Sequence, residues 1–175
     1  MKKLLALVCA AAVALGLPGC GQKAESTPTS SLPQDAVLPL VDQADPEQAM
    51  EAIYAEVEIR DVQQADDQIL LEKFFIDPSQ LESYTVWYTS GLYGIADVFI
   101  LKPLPGAGEQ ELAILREQLE QVKLNLSREV ENYDIYNASQ IVQEAPIFEQ
   151  GGYLIMLMVE DTDAARRAID QYIPK

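Results

Sequence analysis

The sequence predicts an α+β fold with an antiparallel four-stranded sheet, made of two hairpins and packed against a long amphipathic helix and a C-terminal helix. The predicted order of elements is helices, two strands, a long helix, two strands and a final helix. Strand pairs separated by a helix, without the strand–helix alternation of a parallel sheet, favour this class. The long helix has the strongest periodic pattern in the chain and is expected to cover one face of the sheet.

The first half of the ordered chain predicts helices followed by one hairpin. Asp45 is a typical N-cap residue and Pro46 suits the first helical position, so a helix is expected to begin there. A second short helix is expected at 66–75. Residues 84–89 are β-branched or aromatic and predict a strand. Residues 93–101 predict the next strand, which is expected to pair with it in an antiparallel hairpin.

The second half predicts the long helix, a second hairpin and the last helix. From 109 to about 130, six apolar residues recur every three or four positions: Leu112, Leu115, Leu119, Val122, Leu126 and Val130. A short helix is expected at 135–140, and strands are expected at 143–148 and 153–159. The last strand is apolar on both faces, which indicates a central strand. An acid at 161 or 163 is expected to cap the final helix.

The first twenty residues are typical of a bacterial lipoprotein signal peptide. Lys2 and Lys3 precede an apolar run at 4–17, and Leu-Pro-Gly-Cys at 17–20 places a small residue before a cysteine. The run is shorter than the ~20 residues of a transmembrane helix. We therefore expect residues 1–19 to be removed and Cys20 to carry a lipid that anchors the chain to the cell membrane on its extracytoplasmic face. Plain secretion, with Cys20 incidental, is the alternative.

The remaining chain divides into a tether and one domain. Residues 20–40 are rich in Ser, Thr, Pro, Gln and Gly, so we expect a disordered tether that begins at the lipidated Cys20. Residues 41–175 are expected to form a single α+β domain of unknown function. Cys9 would be lost with the signal peptide, so no disulfide is expected within the mature chain.

The chain is strongly acidic. It has 12 basic and 28 acidic side chains and a net charge of −16. Loss of residues 1–19 would remove two lysines and no acid, which gives a mature net charge of −18. Such a charge repels phosphate, so no nucleic-acid partner is expected. The acids are interpreted as a solvated surface, with capture of a cationic ligand or a divalent ion as the alternative.

The composition excludes most catalytic and metal sites. The chain has no histidine, which removes Ser-His-Asp and Cys-His machinery and nearly every zinc site. The acid runs at 66–67 and 160–163 lack the pattern of a calcium loop. We expect no catalytic residue, no metal site and no cofactor. A hydrolase that uses carboxylates alone is the remaining enzyme class.

Four aromatic residues are the candidate ligand-binding residues: Tyr84, Trp87, Tyr88 and Tyr93. On a strand, Tyr84 and Tyr88 share one face, and Trp87 shares the other with two threonines. In one interpretation Trp87, the only tryptophan, packs at the edge of a helix. In the other it belongs to a partly exposed aromatic platform that stacks a sugar or grips a peptide.

Several segments carry a resemblance to a known family. They are Phe-Phe-Ile-Asp-Pro at 74–78, Ala-Asp-Val-Phe-Ile-Leu at 96–101, Asn-Tyr at 132–133 after the long helix, and Gln-Gly-Gly-Tyr-Leu at 150–154. With these segments the chain resembles bacterial lipoproteins of domain-of-unknown-function family 4358 from Asp45 to the C-terminus. The resemblance implies a lipid-anchored, extracytoplasmic protein. It implies no known activity, ligand or catalytic residue.

The sequence therefore favours a lipid-anchored, extracytoplasmic, non-catalytic binding or protein-interaction domain. Its partner is expected to be an envelope protein or a small ligand. An accessory solute-capture lipoprotein that works beside a membrane transporter is the first alternative. A carboxylate-based cell-wall hydrolase is the second. A binding domain should gain stability from its ligand without turnover, whereas a hydrolase should lose activity when one particular acid becomes an amide.

Overall fold

An antiparallel sheet with helices on both faces forms the centre of the described chain. The computed structural model describes residues 43–131 and 134–175. The expected signal peptide, Cys20 and the tether lie outside the described residues. The elements, in chain order, are α1 Pro46–Ala55, β1 Val62–Gln64, α2 Asp67–Glu72, β2 Leu81–Thr89, β3 Asp97–Pro103, α3 Glu109–Val130, α4 Ala138–Glu144, β4 Ile147–Gln150, β5 Tyr153–Met158 and α5 Thr162–Tyr172.

The sheet has five strands in the order β1-β2-β3-β5-β4, and every neighbouring pair is antiparallel. The predicted α+β class and both predicted hairpins, β2–β3 and β4–β5, are confirmed. The predicted number of four strands is wrong. The additional strand is β1, which reads Val-Gln-Gln and pairs with the end of β2. Three residues, two of them polar, are too short to show the alternation that marks a strand.

Two element boundaries also differ from the prediction. β3 begins at Asp97 rather than at Tyr93, because the chain turns through Gly94 at a φ of +108° before the strand can start. The helix expected at 135–140 is α4, which extends to Glu144, so β4 starts later than expected. Ala145 precedes a proline and adopts an extended ψ of 115°, which ends α4.

The sheet separates two hydrophobic cores. On one face, α2, α3 and α4 pack on alternate residues of β3 and β5, including Phe99, Leu101 and Met156. On the other face, α1 and α5 pack on the intervening residues, including Val98 and Ile155. β5 lies between β3 and β4 and all six of its residues are buried, as its apolar sequence predicted. The predicted long and C-terminal helices thus lie on opposite faces of the sheet.

Side-chain caps set the starts of the helices on the second face. The Asp45 carboxylate accepts a hydrogen bond from the Gln48 amide at 3.1 Å, and this confirms the predicted start of α1. The Asp161 carboxylate accepts from the Ala164 amide at 2.7 Å and caps α5. Each bond satisfies an amide that the first turn of a helix leaves without a partner.

Basic side chains join α3 to the chain that follows α4. The Arg116 guanidinium donates to the Ile147 carbonyl at 3.0 Å and to the Glu149 carboxylate at 2.8 Å. The Lys123 ammonium donates to the Ala145 carbonyl at 2.8 Å.

None of the helices within 43–131 and 134–175 has the length and hydropathy needed to cross a bilayer.

Candidate functional site: a groove beside the β2–β3 connection

A groove of about 590 Å³ lies beside the loop that joins β2 to β3. One wall is the end of α1 and the chain that follows it, residues 52–60. The facing wall is residues 159–165, which lead into α5 and form its first turn. Residues 93–96 of the β2–β3 loop, with Tyr136 and Ile141, complete the groove. This volume lies within the range of roughly 300–1,000 Å³ in which proteins hold small ligands.

Buried apolar side chains form the base of the groove. They come from every wall: Ile53, Ile95, Ala96, Val159 and Ala165. Val57 and Ile59 are partly buried and belong to the core between the sheet, α1 and α5. The parts of Val57 and Ile59 that remain exposed favour a ligand with an apolar group that covers them.

Acidic side chains form the rim of the groove. Glu56, Glu58, Glu160 and Asp161 line it together with one basic residue, Arg60, and all five are exposed. Asp161 already accepts the hydrogen bond that caps α5. The other three acids form no ion pair with any residue in the described part of the chain. The rim therefore attracts cations more than anions.

Two exposed tyrosines stand at the mouth of the groove. Tyr93 is 50 % exposed and Tyr136 is 75 % exposed. Tyr136 and the next residue, Asn137, both have positive φ values, of 53° and 59°. Backbone of this kind costs on the order of 1–3 kcal/mol for each non-glycine residue. The Tyr136 ring comes close to Gly94, since a Cβ added there would lie 3.6 Å from the Cδ2 atom of Tyr136.

Buried polar groups hold the loop that closes the groove. The Asp97 Oδ1 atom accepts from the Thr89 amide at 2.9 Å and from the Thr89 hydroxyl at 3.0 Å. The same hydroxyl lies 3.1 Å from the Gly94 carbonyl. From α1, the Tyr54 hydroxyl donates to the Ala96 carbonyl at 2.6 Å. Residues 94 and 96 are thus tied to the buried Thr89 and to the partly buried Tyr54, respectively.

Asp97 is the ionisable group that holds this loop, and burial strongly affects its pKa. The side chain is fully buried, and its Oδ2 atom has no hydrogen-bond partner among the described residues. Loss of hydration raises the pKa of Asp97 to about 6, although the hydrogen bonds from Thr89 and the charge of Lys73 act in the opposite direction. Burial, together with the Asp97 charge, raises the pKa of Tyr54 as well. Asp97 itself does not line the groove.

The four predicted aromatic residues do not form one surface. Tyr84 and Tyr88 lie on the face of β2 that carries α2 and α3, where the Tyr84 hydroxyl donates to Asp67 and Tyr88 packs edge-on against Phe74. Burial raises the pKa of Tyr84 to about 12.

Trp87 and Tyr93 lie apart from that pair. Trp87 is on the opposite face of β2, with its ring centroid 5.0 Å from that of Tyr54 in α1. This is the arrangement in which Trp87 packs against a helix. Among the four, Tyr93 lines the groove.

Sequence reasoning missed most of the groove. Glu56 and Glu58 are two acids among 28 and follow no motif, and Glu160 stands out only as part of the acid run at 160–163. Tyr136 lies between α3 and α4, two residues before α4 begins. The groove is built from four separate stretches of chain, so no local pattern marks it as a whole.

The acid runs considered as metal ligands serve other roles. Asp66 caps α2 by accepting from the Ile69 amide at 2.9 Å, and Asp67 accepts from the Tyr84 hydroxyl. Asp161 caps α5. Within the part of the chain that the structure describes, no group of three acidic or sulfur side chains is arranged to hold a metal ion.

Comparison with known proteins found no relative of this chain. No model of a protein family, no curated protein and no solved structure matches the chain. The function is therefore argued from the chain's own residues.

Proposed function

We propose that this chain is a lipid-anchored, extracytoplasmic, non-catalytic binding or protein-interaction domain, and that the groove beside the β2–β3 loop is its binding site. The observation that carries the proposal is the combination, in one groove, of a buried apolar base with exposed tyrosines and acids. Ligand sites commonly pair an apolar lining with a few polar groups that fix orientation.

A binding role rather than catalysis is supported by the chemistry at hand. The chain has no histidine. Its acid with a pKa raised to about 6, Asp97, is fully buried and does not line the groove. A general acid or base must come within hydrogen-bond reach of the substrate. Asp97 instead holds the loop through Thr89.

The proposed cellular location rests on the first twenty residues. The charged start, the short apolar run and the cysteine at position 20 support a lipid anchor at Cys20. Membership of domain-of-unknown-function family 4358 is likewise a proposal, and it is supported by the segments quoted above.

The test is a thermal-shift screen on the full chain in a mild non-ionic detergent. The panel contains wall fragments, oligosaccharides, peptides and polyamines. A ligand present at about a hundred times its Kd stabilises the folded state by ~2.7 kcal/mol. Each kcal/mol raises the Tm of a domain of this size by roughly 2–4 °C. We therefore expect at least one compound to raise the Tm by about 5–10 °C.

Two variants, each with phenylalanine in place of an alanine, decide whether such a shift arises in the groove. Ala164 lines the groove from the first turn of α5, so Ala164→Phe should fill part of it and remove the shift. Ala113 is exposed on α3 and does not line the groove, so Ala113→Phe should keep the shift. Equal loss in both variants, or equal retention, would contradict the proposal.

A further inference from the structure

We propose that the groove binds an extended, basic segment of a partner protein, with aliphatic side chains on the apolar base and Lys or Arg side chains against the acidic rim. This inference rests on the proposed function and specifies its ligand. Three features support it: the charge of the groove's rim, the apolar side chains that line the groove, and the edge of β1, the strand that follows residues 58–60.

The charge of the rim selects a cation. Glu56, Glu58 and Glu160 surround the groove without an ion pair to any described residue. A single arginine, Arg60, opposes them. Charge complementarity of this kind suppresses partners of the wrong sign and speeds the encounter with the right one. The exposed rings of Tyr93 and Tyr136 at the mouth of the groove can also accept a Lys or Arg side chain over their faces.

The apolar base argues against a simple amine. A polyamine would neutralise the rim but would leave the partly exposed apolar side chains of Val57, Ile59 and Ile141 in contact with water. A neutral apolar compound would cover these side chains but would leave the acids unmatched. A peptide that alternates aliphatic and basic residues satisfies both, because successive side chains of an extended segment point in opposite directions.

The chain beside the groove is suited to an extended partner. Residues 58–60 belong to no helix or strand, and Asp61, at a φ of 70°, joins them to β1, which does not itself line the groove. β1 is an edge strand that pairs with β2 on one side only. An exposed strand edge can accept the backbone of a peptide, while neighbouring pockets read its side chains. This feature favours a peptide over a small cation.

The test measures binding of a short fluorescent peptide of alternating leucine and lysine to the full chain, by anisotropy at low and high salt. Glu58→Gln/Glu160→Gln removes two rim charges. Glu117→Gln/Glu120→Gln removes two charges from exposed positions of α3, so the two variants have the same net charge. We expect the rim variant to bind about fivefold more weakly, and the α3 variant to bind within about twofold of the original chain. High salt should weaken binding to the original chain.

Reference compounds distinguish this inference from the function it rests on. Peptides with glutamate in place of lysine, or serine in place of leucine, should bind at least tenfold more weakly, and spermine should compete poorly. Equal weakening of peptide binding in the rim variant and in the α3 variant would overturn the inference, because it would show attraction to overall charge alone. Spermine competing as well as the peptide would also overturn it. If the peptide fails to bind while another compound still gives a shift that Ala164→Phe removes, this inference fails and the binding groove stands.

Discussion

Asp97 shows how one residue can hold the β2–β3 loop that forms one side of the groove. Its carboxylate is fully buried, and one oxygen holds Thr89 while the other has no partner among the described residues. Burial raises the pKa of Asp97 to about 6, above its ordinary value of 3.8. The folded state therefore binds this proton more tightly than the unfolded state. The stability that follows is fully present below pH 3.8 and is lost as the pH rises through about 6.

The first prediction follows from this sign. Between about pH 4 and pH 7, the free energy of unfolding of the original chain should fall, relative to that of Asp97→Asn, by on the order of 3 kcal/mol. Lys73 favours the charged form of Asp97 and Glu129 opposes it, so both remain unchanged in the comparison. Urea unfolding at several pH values measures the difference. Parallel pH curves for the two chains would show that Asp97 does not titrate in this range.

Residue-scale partners of this kind could not be predicted from the sequence. An acid at the start of an apolar strand is visible in the sequence, but its partner Thr89 lies across a turn. The Tyr54 hydroxyl donates to the Ala96 carbonyl, 42 residues away, and lies 3.1 Å from the Trp87 carbonyl, 33 residues away. Such bonds depend on the way in which the fold brings the ends of elements together, and no local pattern records them.

At the scale of elements, α3 is the main helical contribution to one core. Five of its six predicted apolar positions are buried: Leu115, Leu119, Val122, Leu126 and Val130. They pack on the face of the sheet that also carries α2 and α4. A long helix of this kind is predicted well because its apolar residues recur at helical spacing over several turns. β1 was missed because a strand of three residues is too short to show the apolar–polar alternation of a strand.

The second prediction compares two leucines of α3. Leu119 is fully buried, so Leu119→Ala should lower the free energy of unfolding by about 2–5 kcal/mol through lost burial and a cavity. Leu124 is 45 % exposed on the same helix, so Leu124→Ala should change it by less than about 1 kcal/mol. Thermal or urea unfolding of both variants measures the contrast. Equal losses would contradict the assignment of the buried face.

At the scale of the whole molecule, the sheet divides the protein into two cores, and the groove lies where separate stretches of chain meet. The sequence predicted the class, the hairpins and the apolar central strand, because each depends on composition and spacing within one segment. It predicted one groove residue, Tyr93, among its four aromatic candidates. The remaining groove residues come from four stretches that are distant in sequence, so their association depends on the completed fold.

The third prediction concerns the expected anchor. Cys20→Ser should abolish incorporation of radiolabelled palmitate and should move the protein from the membrane fraction to the soluble fraction, because stable anchoring requires about two acyl chains. Fractionation of cells that express each chain measures this change. The matched variant Cys9→Ser should remain acylated. Palmitate incorporation into Cys20→Ser would contradict the expected site.

The groove as a binding site is the central claim, and site-specific photo-crosslinking in intact cells tests it most directly. A photoreactive phenylalanine replaces Tyr93 or Tyr136 at the groove, or Ala113 on α3 as the control position. We predict that the two groove positions give the same discrete adduct, that Ala164→Phe abolishes it, and that Ala113 does not give it. Adducts of equal yield at all three positions, or groove adducts that persist in the Ala164→Phe background, would contradict the account.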